Sequence, residues 1–293
     1  MDFRFQIANA LSAEVLSPTV SMNRPIRNSR IKLSFGRIFW REVGKGTAVV
    51  FLHGLWHDSS QWLSVMEYLS QQYDCLAPDL LGFGESELPK LHYSIELQVD
   101  CLAEYLTALK LRQVYLVGES LGGWIAASYA LKHLDEDLVS GLVLIAPLGV
   151  QVQGVQHPWQ QMRSSVNKPS LWFRLLRLLR PITKLLGWQE KIDQTWKQRQ
   201  KILASPTIYQ MLFKRHQSEI DAELLQDKLP WLKIPVLILQ GAQDTASAIA
   251  ISQTYANLTP KVELQIINQG GSDLTQSVPG IVAAHIRDFV NSY

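Results

Sequence analysis

The segment that most restricts how this chain can fold is Val114-Tyr-Leu-Val-Gly118-Glu119-Ser120-Leu121-Gly122-Gly123, which runs on into an alanine-rich stretch. The apolar residues read as a buried strand and the alanine-rich stretch as a helix. The glycines read as a turn too tight for a Cβ. A strand that turns this sharply into a helix lifts the hydroxyl of Ser120 clear of the sheet edge, as a nucleophile requires. The remainder of the chain has to supply the sheet.

It does so by alternation. Thr47-Ala-Val-Val-Phe-Leu52 is a continuous apolar run, the mark of a strand buried on both faces. Further strands are expected at Cys75 to Pro78, Val114 to Val117, Leu142 to Ile145, Val236 to Gln240 and Val262 to Ile267. Helices are expected from Ile95 to Leu109, from Ser120, and from Val278 to Val290. Arg30 to Phe35 and Arg37 to Val43, split at Gly36, read as an antiparallel pair at the sheet edge. Such alternation specifies an α/β fold with a doubly wound, mostly parallel sheet.

The alternation breaks between residues 149 and 231, a helical stretch that holds five of the nine tryptophans. The expected organisation is therefore an N-terminal arm over 1–29, a core made of 30–148 and 232–293, and a helical cap over 149–231 inserted into that core. Insertions at the carboxyl ends of strands are where open α/β sheets keep their sites.

Composition narrows the class. With 47% apolar and 18% charged residues in 293, the chain has ample material for a buried core. Cys75 and Cys101 make no disulfide framework and lie in no metal-ligand spacing, so neither a metal nor a cofactor is expected. The first residues carry no apolar segment of signal-peptide length, and no stretch reaches a membrane span. An intracellular, cytoplasmic location is expected, with at most peripheral membrane contact. A net charge of +2 argues against nucleic acid as a partner. The charge is uneven, because between Gln160 and Lys201 ten Lys or Arg face only Glu190 and Asp193.

Several motifs fall in a telling order: His53-Gly54-Leu55-Trp56, Pro78-Asp79-Leu80-Leu81-Gly82-Phe83-Gly84-Glu85-Ser86, Gly118 to Gly122, and Gly241-Ala-Gln-Asp244. In these the sequence resembles the α/β-hydrolase superfamily, in particular its single-domain esterase, lipase and C–C hydrolase branch. The resemblance implies Ser120 as nucleophile, Asp244 as the acid of a triad, and the backbone N–H groups of Leu55 and Leu121 as oxyanion donors. It also implies that His53, Gly54, Gly118 and Gly122 shape the turns. The alternative reading of Asp244 is a loop residue capping the next helix.

The resemblance fails at the base. After the last strand the family places a histidine behind a glycine, whereas here the chain reads Asn268-Gln269-Gly270-Gly271-Ser272-Asp273. Gly271 is expected at the base position, with Gln276 and Pro279 following. No histidine lies between His216 and His285, and His285 falls inside the closing helix. A serine hydroxyl without a base is a poor nucleophile at neutral pH. His57 is the possible substitute, and Asp273 could organise a water.

Two functions follow. One is a degenerate or very weakly active hydrolase-like protein that binds an apolar or acyl-bearing small molecule. The other is an active ester, thioester or lipid hydrolase with a displaced base. In the cap, Leu171 to Leu186 has apolar residues at helical spacing with Arg174, Arg177 and Lys184 along one side. Such a helix suits either a membrane interface, with an anionic surface as partner, or a lid over an apolar pocket.

Overall fold

A computed structural model of the protein describes residues 24–152, 154, 159–160, 163, 166 and 189–293. Most of the expected N-terminal arm, and the basic helix with Arg174, Arg177 and Lys184, lie outside the described residues.

Eight strands form one sheet: β1 (Arg27–Lys32), β2 (Arg37–Gly44), β3 (Thr47–Leu52), β4 (Tyr73–Pro78), β5 (Val114–Glu119), β6 (Val139–Ile145), β7 (Val236–Gly241) and β8 (Val262–Ile267). They lie in the order β1-β2-β4-β3-β5-β6-β7-β8. β2 pairs antiparallel with both β1 and β4, and every other pairing is parallel. This is the doubly wound, mostly parallel sheet expected from the alternation.

The helices used below are α1 (Leu63–Leu69), α2 (Ile95–Ala108), α3 (Leu121–Lys132), α4 (Gln189–Leu203), α5 (Ala246–Leu258), α6 (Leu274–Ser277) and α7 (Pro279–Ser292). Of the segment 149–231, the described part is largely helical.

Strand periodicity divides the core in two. Val50, Leu52, Leu116, Leu142, Leu144 and Ile238 point to the face covered by α2 and α3, where Leu102, Leu106 and Ala127 meet them. Their chain neighbours Val49, Phe51, Val117, Val143, Leu237 and Leu239 point to the opposite face. There Val65 and Met66 of α1 pack with Val282 and Ile286 of α7. Each such side chain contributes about 1.5–3 kcal/mol when fully buried. Strands clad on both faces need apolar residues at successive positions, which explains the unbroken run in β3.

The edge differs from expectation. β1 occupies Arg27–Lys32, not Arg30 to Phe35, because Leu33 and Gly36 bond to each other in a tight turn. That turn takes Ser34 and Phe35 out of the ladder.

The parallel strands all end at one edge. Beyond β3 comes His53, beyond β5 Ser120, beyond β6 Ala146, beyond β7 Asp244 and beyond β8 the 268–273 segment. Residues distant in sequence are thereby brought to a single crevice.

Candidate active site

The Ser120 corner is built from forbidden space. A Cβ on Gly122 would lie 2.2 Å from the Leu52 carbonyl oxygen, and one on Gly118 would lie 2.4 Å from the Gly122 carbonyl carbon. β5 and α3 can therefore meet this closely only with glycine at both places. Ser120 itself takes φ 51° and ψ −109°, a conformation costing about 1–3 kcal/mol for a residue with a side chain. Three backbone bonds hold it there. Ser120 N–H donates to Ile145 O at 2.9 Å, while Ser120 O accepts from Leu148 N at 3.0 Å and from Trp124 N at 3.2 Å. Leu121 opens α3, where the leading N–H groups have no acceptor within the helix.

A cavity of about 290 Å³ lies over this corner. Its wall includes Leu55, Trp56, His57, Glu119, Ser120, Trp159, Asp244 and Ser272. The fold thus gathers the residues picked from the sequence as nucleophile, acid, oxyanion turn and substitute base around one space.

His53 stands apart from that space. It is fully buried, its Nδ1 donates to Gly54 O at 2.9 Å, and its Nε2 accepts from Leu80 N at 3.1 Å. Both ring nitrogens are consumed in pinning the 53–55 turn to the 79–86 loop, and burial depresses the ring's pKa, favouring the neutral form.

Asp244 follows β7 and is fixed from behind. Its Oδ1 accepts from Thr245 N at 2.6 Å and its Oδ2 from Gln240 Nε2 at 3.2 Å. Gln240 is itself wholly buried, with its Oε1 accepting from Ser252 Oγ at 2.6 Å. Capping of α5 falls to Thr245, whose Oγ1 accepts from Ala248 N at 3.3 Å. Asp244 precedes the cap and lines the cavity.

The 270–272 segment follows β8 and packs on β7. A Cβ on Gly241 would lie 2.3 Å from Gly271 O and 2.4 Å from Gly270 O, so the Gly270-Gly271 backbone is pressed against the end of β7. A Cβ on Gly271 would point toward Gln243 O at 3.6 Å and Asp273 Oδ1 at 3.9 Å, and Gly271 is not among the residues lining the cavity. Ser272, one residue on, is the one that faces it.

His57 is the one histidine among the described residues that lines the cavity. Its Nδ1 lies 3.3 Å from Gln276 Nε2, an amide nitrogen that can only donate. The neutral ring then carries its proton on Nε2. Partial burial, and next the charge of Lys201, hold its pKa below the usual value. Lys201 comes from α4, and its Nζ sits 4.7 Å from the centre of the Trp56 ring, which docks the helix on the turn after β3. His285 is half-buried on α7 and does not line the cavity.

One group was not singled out from the sequence. Glu119 is buried beside Ser120, and its Oε2 accepts from Thr275 Oγ1 at 2.8 Å. Gln61 Nε2 donates to Thr275 Oγ1 at 3.2 Å, while Gln61 Oε1 accepts from Gly54 N at 2.9 Å. Burial pushes the Glu119 carboxyl up to about 7, against the pull of the Thr275 and Gln61 bonds and with a smaller push from Asp273 and Asp244. A glutamate ending an otherwise apolar strand was the available signal. Among the described residues, no group of three His, Cys, Asp or Glu is placed to hold a metal ion, and no helix is long and apolar enough to cross a membrane.

Comparison with known proteins agrees with this architecture. A sequence model of the alpha/beta hydrolase fold family matches residues 47–274. A 2-hydroxy-6-oxo-2,4-heptadienoate hydrolase of Pseudomonas putida is 37% identical over 119 residues, 38% of this chain and 41% of that protein. This chain therefore spans less than half the length of that relative. The human monoacylglycerol lipase ABHD6 is 25% identical over 260 residues, 85% of this chain and 77% of the lipase. The crystal structure of a membrane phospholipase A, described as a bacterial virulence factor, superimposes with a TM-score of 0.69 at 22% identity, over 91% of this chain and 86% of the other. With the family model covering well over half its length, and with its strand order and serine corner, this chain belongs to the alpha/beta hydrolase fold family.

Proposed function

We propose that this chain is a hydrolase-like member of its family that binds an apolar, acyl-bearing ligand over Ser120 and turns it over very slowly or not at all. The observation that carries this reading is Ser272. Its short hydroxyl side chain lines the cavity on the β8 side together with Ser120 and Asp244, and it carries no basic nitrogen. Loss of one triad member typically costs about 10⁴- to 10⁶-fold in turnover. While Gln276 donates to Nδ1, the neutral His57 ring has no free lone pair with which to accept a proton. The acyl preference draws on Leu55, Trp56, Leu148 and Trp159 in the cavity wall, and on relatives named as lipases. Association with anionic membranes through Arg174, Arg177 and Lys184 is part of the same proposal.

One observation favours a second reading, an active ester or lipid hydrolase with a displaced base: His57 does line the cavity and is held neutral. Loss of its Gln276 contact would free Nδ1.

Titration with a medium-chain monoacylglycerol, followed by tryptophan fluorescence and by release of free glycerol, tests the proposal. Saturable binding, the same in wild type and Ser120→Ala and without glycerol release, is the expected result. Glycerol release that disappears in Ser120→Ala, or no binding at all, would overturn it.

A further inference from the structure

Ser120, Asp244 and Ser272 form a nucleophile, an oriented carboxylate and a short side chain on the wall of one cavity, where a basic ring would complete a relay. Resting on the functional reading above, we infer that the space they bound is a subsite for a basic nitrogen, an imidazole or tertiary amine carried by the acyl ligand itself, which takes the Ser120 proton in place of a protein base.

Three observations support the assignment. The Asp244 carboxylate is bound from behind, by Gln240 Nε2 and Thr245 N, and lines the cavity. That arrangement suits a carboxylate that orients a protonated nitrogen. Among the described residues no Lys or Arg lines the cavity, and the charges of Asp273 and Asp244 both act on Glu119 in its wall, while that of Lys201 acts on His57. Carboxylate charge stabilises a cation that forms beside it. Ser272 lines the cavity with a short hydroxyl side chain, and the volume of about 290 Å³ leaves room for an incoming heterocycle.

The step balances without a further reagent. The ligand nitrogen accepts the Ser120 hydroxyl proton as the Oγ–C bond forms, and the carbonyl π pair moves onto the oxygen facing the Leu55 and Leu121 N–H groups. When that pair returns, the ester C–O bond breaks, and the leaving alkoxide takes the proton back from the nitrogen. The products are acyl-Ser120 and an alcohol that carries the free base.

The test uses a probe without a base of its own. The rate at which an alkyl fluorophosphonate labels Ser120 is measured with rising millimolar imidazole, in wild type, Ser272→Leu, Ser272→Ala and Asp244→Asn. Imidazole is expected to accelerate labelling saturably by at least about tenfold, within the range of general-base catalysis. Ser272→Ala should keep this gain, whereas Ser272→Leu and Asp244→Asn should lose it. A rate that does not respond to imidazole, including no labelling under any condition, overturns the inference. So does a linear response equal in all four proteins, which would be catalysis by the buffer. Fast labelling without imidazole would instead overturn the functional reading on which it rests.

Discussion

Replacing Ser272 with histidine is expected to raise Ser120-dependent hydrolysis of a p-nitrophenyl ester by about 10²- to 10⁴-fold, the usual worth of general-base catalysis. Gly271→His is expected to leave it near the wild-type level. The distinction rests on direction. Ser272 faces the cavity with Ser120 and Asp244, whereas a side chain on Gly271 would point toward Gln243 O and Asp273. The surrounding groups are held in position: a strained serine corner, a carboxylate fixed by Gln240 and Thr245, and a 53–55 turn pinned by His53 and Gln61. Neither position has a left-handed φ, so the backbone accepts a side chain at both. Ester hydrolysis by each variant, with and without the added Ser120→Ala change, reads the result. A gain from Gly271→His but not from Ser272→His would mean that residue 271, not residue 272, faces the serine.

Glu119→Gln is expected to stabilise the protein at alkaline pH by on the order of 3 kcal/mol and to do little in acid. The Glu119 carboxyl ordinarily titrates near 4.5, and burial pushes it up to about 7 in the folded chain. The folded state therefore holds its proton more tightly than the unfolded state. The favourable contribution is complete below the ordinary value and is lost as pH rises through about 7. Gln cannot ionise, and its amide oxygen still accepts from Thr275 Oγ1. Denaturant melts near about pH 5 and about pH 8 measure the effect, which appears as a wild-type loss of stability that the variant lacks. Parallel pH profiles for the two proteins would mean that Glu119 is not a buried acid.

Much of the sheet was legible because central parallel strands are apolar at successive positions. β8 falls at Val262–Ile267 as expected, and β7 ends one residue beyond its expected limit. β1 was misplaced by three residues because an edge strand with mostly exposed side chains carries little alternating signal, and only the Leu33–Gly36 turn sets its register. The serine corner was legible because sterics demand its glycines. Ser272 was not, because a Gly-Gly pair has no side chains to fix which residue faces inward; that choice is made by Gly241 packing on the pair's carbonyls. The Gln61–Thr275–Glu119 chain was invisible for another reason. It joins residues far apart in sequence, and no periodicity links them.

On the function proposed above, Ser120 stands in an acyl site without a working base. Steady-state hydrolysis of short p-nitrophenyl esters by the wild-type protein and by Ser120→Ala tests it most directly. Rates that differ little between the two are expected, and robust wild-type turnover abolished by Ser120→Ala would overturn the proposal.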